Sequence, residues 1–122
     1  MGRNSLANSK NHYQGTRKRI LCVCSAGLLR SPTAAFILSN EPFNFNTRAC
    51  GITEEYALIP ITETLVYWAD EIICMNETHK NIVLSFDKNK IVHNLEVEDN
   101  YEFRQPELIV IMDSKLKEIF KN

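Results

Sequence analysis

One alternation runs through the chain four times: a short apolar run, then a segment whose apolar residues fall at helical spacing. "RILCVCS", from Arg19, has no polar face, as a strand buried on both sides requires. "SPTAAFILSN" predicts a helix with Ser31 as N-cap and Pro32 at its first position, packing through Ala34, Ala35, Ile37 and Leu38. "FNFNTRA" alternates and predicts a second strand, ended by Gly51. "TETLVYWADE" predicts a helix capped by Thr62, with Leu65, Val66, Trp68 and Ala69 on or near its packed side. "EIICM" reads as a third interior strand, "NETHKNIVLSF" as a helix from an Asn cap, and "KIVHNL" as a short fourth strand. "QPELIVIMDSKLKEIFK" predicts the terminal helix, begun by Pro106.

Strands that alternate with helices are joined by crossovers, and right-handed crossovers lay the helices on both faces of a parallel sheet. The expected fold is therefore α/β, a four-stranded parallel sheet covered on both sides. Such sheets bind ligands beyond the carboxyl ends of their strands. A chain of 122 residues buries one core. The polar stretch 1–17 reads as a disordered tail, and 18–122 as a single domain.

Fourteen Lys plus Arg against fifteen Asp plus Glu give a net charge of -1, which supplies no general attraction to nucleic acid or anionic lipid. The basic "TRKR" is local and abuts the first strand. No run is long and apolar enough to span a bilayer, and the N-terminus lacks the apolar middle of a secretory signal. Gly2 suits myristoylation, but Leu6 stands where Ser or Thr is expected. We therefore expect a cytoplasmic protein with no nucleic-acid or membrane partner. Cys22, Cys24, Cys50 and Cys74 lie in or beside apolar segments without paired C-x2-C spacing, so neither a disulfide framework nor a zinc knuckle is expected. Cys22 and Cys74 read as buried structural thiols. His79 is placed on a helix face and His93 beside a strand, and no metal site is proposed.

The stretch "CSAGLLRS" falls where the first strand ends and a helix begins. A loop feeding a helix N-terminus carries backbone N–H groups with no intrahelical partner, and the helix dipole adds positive potential. Ser25, Ala26, Gly27, Leu28 and Leu29 are mostly small or apolar, and Gly27 can take a positive φ at the sharpest point. Donors curled in this way converge on an oxyanion. Arg30 adds a planar fork suited to a phosphoryl group, and Ser31 a hydroxyl within reach of the thiol. The same donors favour the thiolate of Cys24 and make it a nucleophile aimed at bound phosphorus. Neither a Walker lysine nor a G-x-G-x-x-G fingerprint accompanies the loop.

Displacement of an ester oxygen also requires an acid. "EVEDNYEFRQP" offers Glu96, Glu98, Asp99 and Glu102 after the fourth strand, whereas Asp70 precedes the third strand at the opposite end of the sheet.

"VCSAGLLRSPTAA", "ADEIICMNETHKNIV" and "VEDNYEFRQPELIVIM" together resemble the low-molecular-weight protein tyrosine phosphatase family, over most of Ile20 to Phe120. The resemblance implies Cys24 as nucleophile, Arg30 as phosphoryl ligand, Ser31 as support for the thiolate, Asp99 as general acid and Tyr101 beside the substrate ring. It implies phosphotyrosine-containing proteins or small aryl phosphates as substrates, a monomer or weak dimer, and neither metal nor organic cofactor. The chain departs from the family at Gly27, where Asn is usual, at Leu29, where many members carry a second cysteine, and at Asn100, where Pro follows the acid. The segment from Ala49 to Thr62, which forms one cleft wall in the family, is short. An arsenate reductase of the same fold, using Cys50 or Cys74, and a catalytically weak module that binds phosphorylated ligands stay open as alternatives.

Overall fold

The structure is a computed structural model that describes residues 17–25, 30–52, 59–97 and 106–120. Among the described residues are four strands, β1 (Arg19–Cys24), β2 (Asn46–Gly51), β3 (Glu71–Cys74) and β4 (Ile91–Asn94). They form one sheet in the order β2-β1-β3-β4, and every pairing is parallel. Four helices accompany them: α1 (Arg30–Leu38), α2 (Glu63–Trp68), α3 (Glu77–Phe86) and α4 (Pro106–Ile119). The expected α/β architecture is the observed one.

Side chains of β1 alternate between two cores, as strand geometry requires. Ile20, Cys22 and Cys24 join α1 and α4 through Ala34, Leu38, Leu108 and Met112 on one face. Leu21 and Val23 join Val66 of α2 and Val83 of α3 on the other. Ile20, Leu21, Ile72 and Ile73 have no exposed surface, and burying each contributes about 1.5–3 kcal/mol. That double burial explains why β1 and β3 carry unbroken apolar runs. From β1 the chain passes first to β2 and later returns to β3 on the other side, so the connections diverge at the carboxyl end of β1.

Several local expectations hold. Thr62 Oγ1 accepts the Leu65 N–H at 3.2 Å and caps α2. Asn76 caps α3 by accepting the His79 N–H at 2.9 Å. Pro106 opens α4. Asp70 sits at the amino edge, where its carboxylate accepts the Arg19 N–H at 2.8 Å.

Two boundaries differ. α1 begins at Arg30, so Ser31 lies inside the first turn rather than capping it. Its hydroxyl turns inward to Cys24 Sγ and the Cys50 carbonyl, tertiary partners that replace the local N–H groups of a cap. Strand β2 starts at Asn46, later than the alternation of "FNFNTRA" predicts. Asn44 takes a left-handed φ of 54°, and Phe43 and Phe45 pack edgewise or tilted with Phe120 at ring separations of 5.1–6.2 Å. Packing of three aromatic rings at the end of α4 outweighs three more residues of ladder.

Candidate active site

Cys24 is the last residue of β1 and is 2% exposed. Its sulfur lies 3.1 Å from Ser31 Oγ, and the same hydroxyl donates to the Cys50 carbonyl at 3.2 Å. One hydroxyl proton cannot serve both acceptors. With Cys24 as a thiol, the S–H donates to Ser31 and Ser31 donates to Cys50. With Cys24 as a thiolate, the Ser31 proton swings to sulfur. The hydroxyl can thus bond to the sulfur in either protonation state.

Arg30 opens α1 and is only 2% exposed. Its Nη1 donates to the Val97 carbonyl at 2.6 Å, from the segment that follows β4. A guanidinium buried to this degree requires partners, and this bond fixes one arm of its fork. A cleft of about 330 Å³ opens beside it, lined also by Met75, Asn76, Glu77, Asn94 and Glu96. The cleft lies past the carboxyl ends of β3 and β4, where sequence reasoning places a ligand.

A second contact joins the start of the loop to α3. Ser25 Oγ lies 3.1 Å from His79 Nε2, and His79 Nδ1 accepts the Met75 N–H at 3.3 Å. The sequence reading places His79 on a helix face and gives it no role. Its ring is 1% exposed and points to the loop. The available signal is "MNETH", a cap residue followed three positions later by His, directly after an interior strand.

The remaining thiols, Cys22, Cys50 and Cys74, are buried. Burial pushes Cys22 well above the ordinary thiol range, helped by the nearby Cys50 and Cys24. Burial, with Cys24 nearby, pushes Cys50 up to about 12, and burial pushes Cys74 up to about 11. Cys50 and Cys74 are the register partners of Val23 on the two neighbouring strands, so both share its face of the sheet. Cys24 belongs to the opposite core. Cys50 and Cys74 thus belong to one core of the sheet and Cys24 to the other.

Of the sequence-derived site residues, Cys24, Ser25, Arg30 and Ser31 are brought together at the carboxyl end of β1. Ala26, Gly27, Leu28, Leu29, Glu98, Asp99, Tyr101 and Glu102 lie outside the described residues. Glu96 is exposed on the cleft with φ 54°, its N–H held by Asn94 Oδ1 at 2.9 Å. His93 lies within β4, its Nε2 2.7 Å from Glu71 at the amino edge, remote in sequence and in sheet position from the loop. Among the described residues no three His, Cys, Asp or Glu side chains converge as metal ligands.

No protein-family profile and no curated protein sequence matches the chain. Solved structures do. A Vibrio vulnificus Wzb in complex with benzylphosphonate superposes with a TM-score of 0.68 at 16% identity, over 84% of this chain and 97% of that one. The YwlE arginine phosphatase from Geobacillus stearothermophilus gives 0.64 at 20% identity, over 85% and 93%. A low-molecular-weight phosphotyrosine phosphatase from Vibrio cholerae gives 0.64 at 19%, over 86% and 97%. The chain therefore has the low-molecular-weight phosphatase fold, across nearly the full length of these structures.

Proposed function

We propose that the protein hydrolyses phosphate monoesters, with protein phosphotyrosine as the substrate class, through a cysteinyl-phosphate intermediate. The observation that carries this reading is the pairing of Cys24 Sγ with Ser31 Oγ at 3.1 Å, beside a buried Arg30 anchored on Val97. Such an arrangement stabilises a thiolate and a tetrahedral oxyanion at one place. The parent fold, shared with structures named as phosphatases, agrees with it.

In the first step Cys24 Sγ attacks phosphorus while the loop of Ser25, Ala26, Gly27, Leu28, Leu29 and Arg30 takes the equatorial oxygens. Arg30, anchored through Nη1 on the Val97 carbonyl, brings its guanidinium charge to those oxygens. Ser31 returns its proton from sulfur to the Cys50 carbonyl as the thiolate charge is consumed. Asp99 protonates the departing phenol, and Tyr101 flanks its ring. In the second step Asp99 takes a proton from water, which attacks the phosphocysteine and frees Cys24 and inorganic phosphate. No metal or organic cofactor enters this scheme. Residues 18–122 form the catalytic domain, as a monomer or weak dimer. A reducing cytoplasm suits four cysteines without a disulfide among them.

The carboxylates of Glu77 and Glu96 on the cleft favour one second reading, in which the leaving group is cationic, as in phosphoarginine. Purified protein assayed in EDTA against p-nitrophenyl phosphate, a phosphotyrosine peptide and phosphoarginine decides between them. We expect the two aryl phosphates to turn over and the Cys24→Ser variant to be inert. Turnover of phosphoarginine alone supports the second reading. Arsenate reduction without phosphatase turnover overturns both.

A further inference from the structure

We propose that His79 is a positioning residue for the oxyanion loop, acting through Ser25 to aim one more hydroxyl donor at the bound phosphoryl group. This rests on the phosphatase reading above. His79 Nδ1 accepts the Met75 N–H at 3.3 Å, so that nitrogen carries no proton. In the neutral ring the proton then sits on Nε2, which donates to Ser25 Oγ at 3.1 Å. Ser25 is thereby cast as acceptor toward the ring, and its own proton is turned to another acceptor. Ser25 directly follows the nucleophile, and Met75 and Asn76, which hold the imidazole, also line the cleft beside Arg30. The acceptor that arrives with substrate is a phosphoryl oxygen.

The ring is held where this requires. Asn76 Oδ1 fixes the His79 N–H at 2.9 Å, and a ring 1% exposed has no solvent to turn toward. A capping box has its third helical residue reach back to the N-cap N–H. Here His79 reaches one residue further, to Met75, and its second nitrogen is left pointing at the loop. The loop has a reason to need this. Gly27 offers no side chain that could brace the loop, and both described ends of the loop are anchored. Ser25 on His79 holds the first end, and Arg30 on Val97 holds the second.

The test compares Ser25→Ala, Ser25→Thr, His79→Gln and the double variant His79→Gln/Ser25→Ala. The readouts are kcat and KM on p-nitrophenyl phosphate, the inhibition constant of vanadate, and Tm. Ser25→Ala should lose about tenfold in kcat/KM and in vanadate affinity, the scale of one hydrogen bond to a charged group. Ser25→Thr, which keeps the hydroxyl, should recover to within about twofold. His79→Gln should weaken vanadate in the wild-type background and add nothing to Ser25→Ala, because both act through one bond. Additive losses, or wild-type vanadate affinity in Ser25→Ala, overturn the proposal, as does a His79→Gln effect confined to Tm. Should His79→Gln not fold, the Ala and Thr pair at Ser25 still decides. Wild-type protein that neither turns over substrate nor binds vanadate removes the phosphatase reading and this proposal together. An active wild type with a silent Ser25 series removes this proposal alone.

Discussion

The two ends of the sheet use polar side chains for opposite purposes. At the amino edge, charges close on one another: Glu71 accepts from Lys18 and His93, and Asp70 pairs with Arg19. At the carboxyl edge, the partners of Cys24, Ser25, Arg30 and Ser31 are a hydroxyl, an imidazole and backbone carbonyls rather than opposite charges. Arg30 commits one arm to Val97, Ser25 accepts from His79, and Ser31 stands between two acceptors. Polar groups that satisfy one another hold a fold together. At the carboxyl edge Arg30 borders the cleft, and under the proposed phosphatase function the bonds there position groups for a ligand.

The comparison breaks first at Cys24. Cys24→Ser should reduce p-nitrophenyl phosphate turnover to background while inorganic phosphate still binds, because the oxyanion donors stay in place. Turnover that survives would make the carboxyl edge as structural as the amino edge. Asp99→Asn should cost on the order of 10²–10⁴-fold, falling on kcat more than KM, since the proton is given only in the transition state. The deficit should shrink for phenols of lower pKa, which leave without help. Equal losses across a leaving-group series would remove Asp99 from the acid role.

Alkylation sharpens the contrast within the thiols. With Cys50 pushed up to about 12 and Cys74 to about 11, less than about 10⁻³ of either is ionised at neutral pH. Iodoacetamide at pH 7 should therefore label Cys24 and spare Cys22, Cys50 and Cys74, as peptide mass spectrometry would report. Equal labelling of all four would cancel the distinction.

Features that depend on neighbouring residues in the chain were legible before the fold was known. Thr62, Asn76 and Pro106 begin their helices as their side chains dictate, and the doubly buried runs of β1 and β3 name the centre of a parallel sheet. The spacing of Cys24 and Arg30 placed them at a strand end and a helix start, where the structure has them. What stayed hidden is tertiary. Ser31 has the chemistry of a cap, and only the approach of β2 shows that its hydroxyl is used elsewhere. The partner of Arg30 is a backbone carbonyl, which no sequence pattern marks. His79 and Ser25 are 54 positions apart, and they meet because β1 and β3 are neighbours in the sheet.

The smallest expected effect tests the amino edge. Partial burial raises the Glu71 carboxyl, but hydrogen bonds from Lys18 and His93, with the charges of both, outweigh it and hold the group below the usual carboxylate range. A carboxyl lowered on folding stabilises the native state above its unfolded value, roughly pH 4.3, and that stabilisation is lost as pH falls through the folded value. Glu71→Gln should therefore cost about 1 kcal/mol at pH 7, because the pair with Lys18 is partly solvated and its worth is screened. The difference between variant and wild type should narrow in denaturant melts as the pH is taken below 4. Turnover per folded molecule should stay at the wild-type value, since the carboxylate lies at the far end of β3 from the cleft. A variant with wild-type stability but reduced turnover would invert the roles of the two edges.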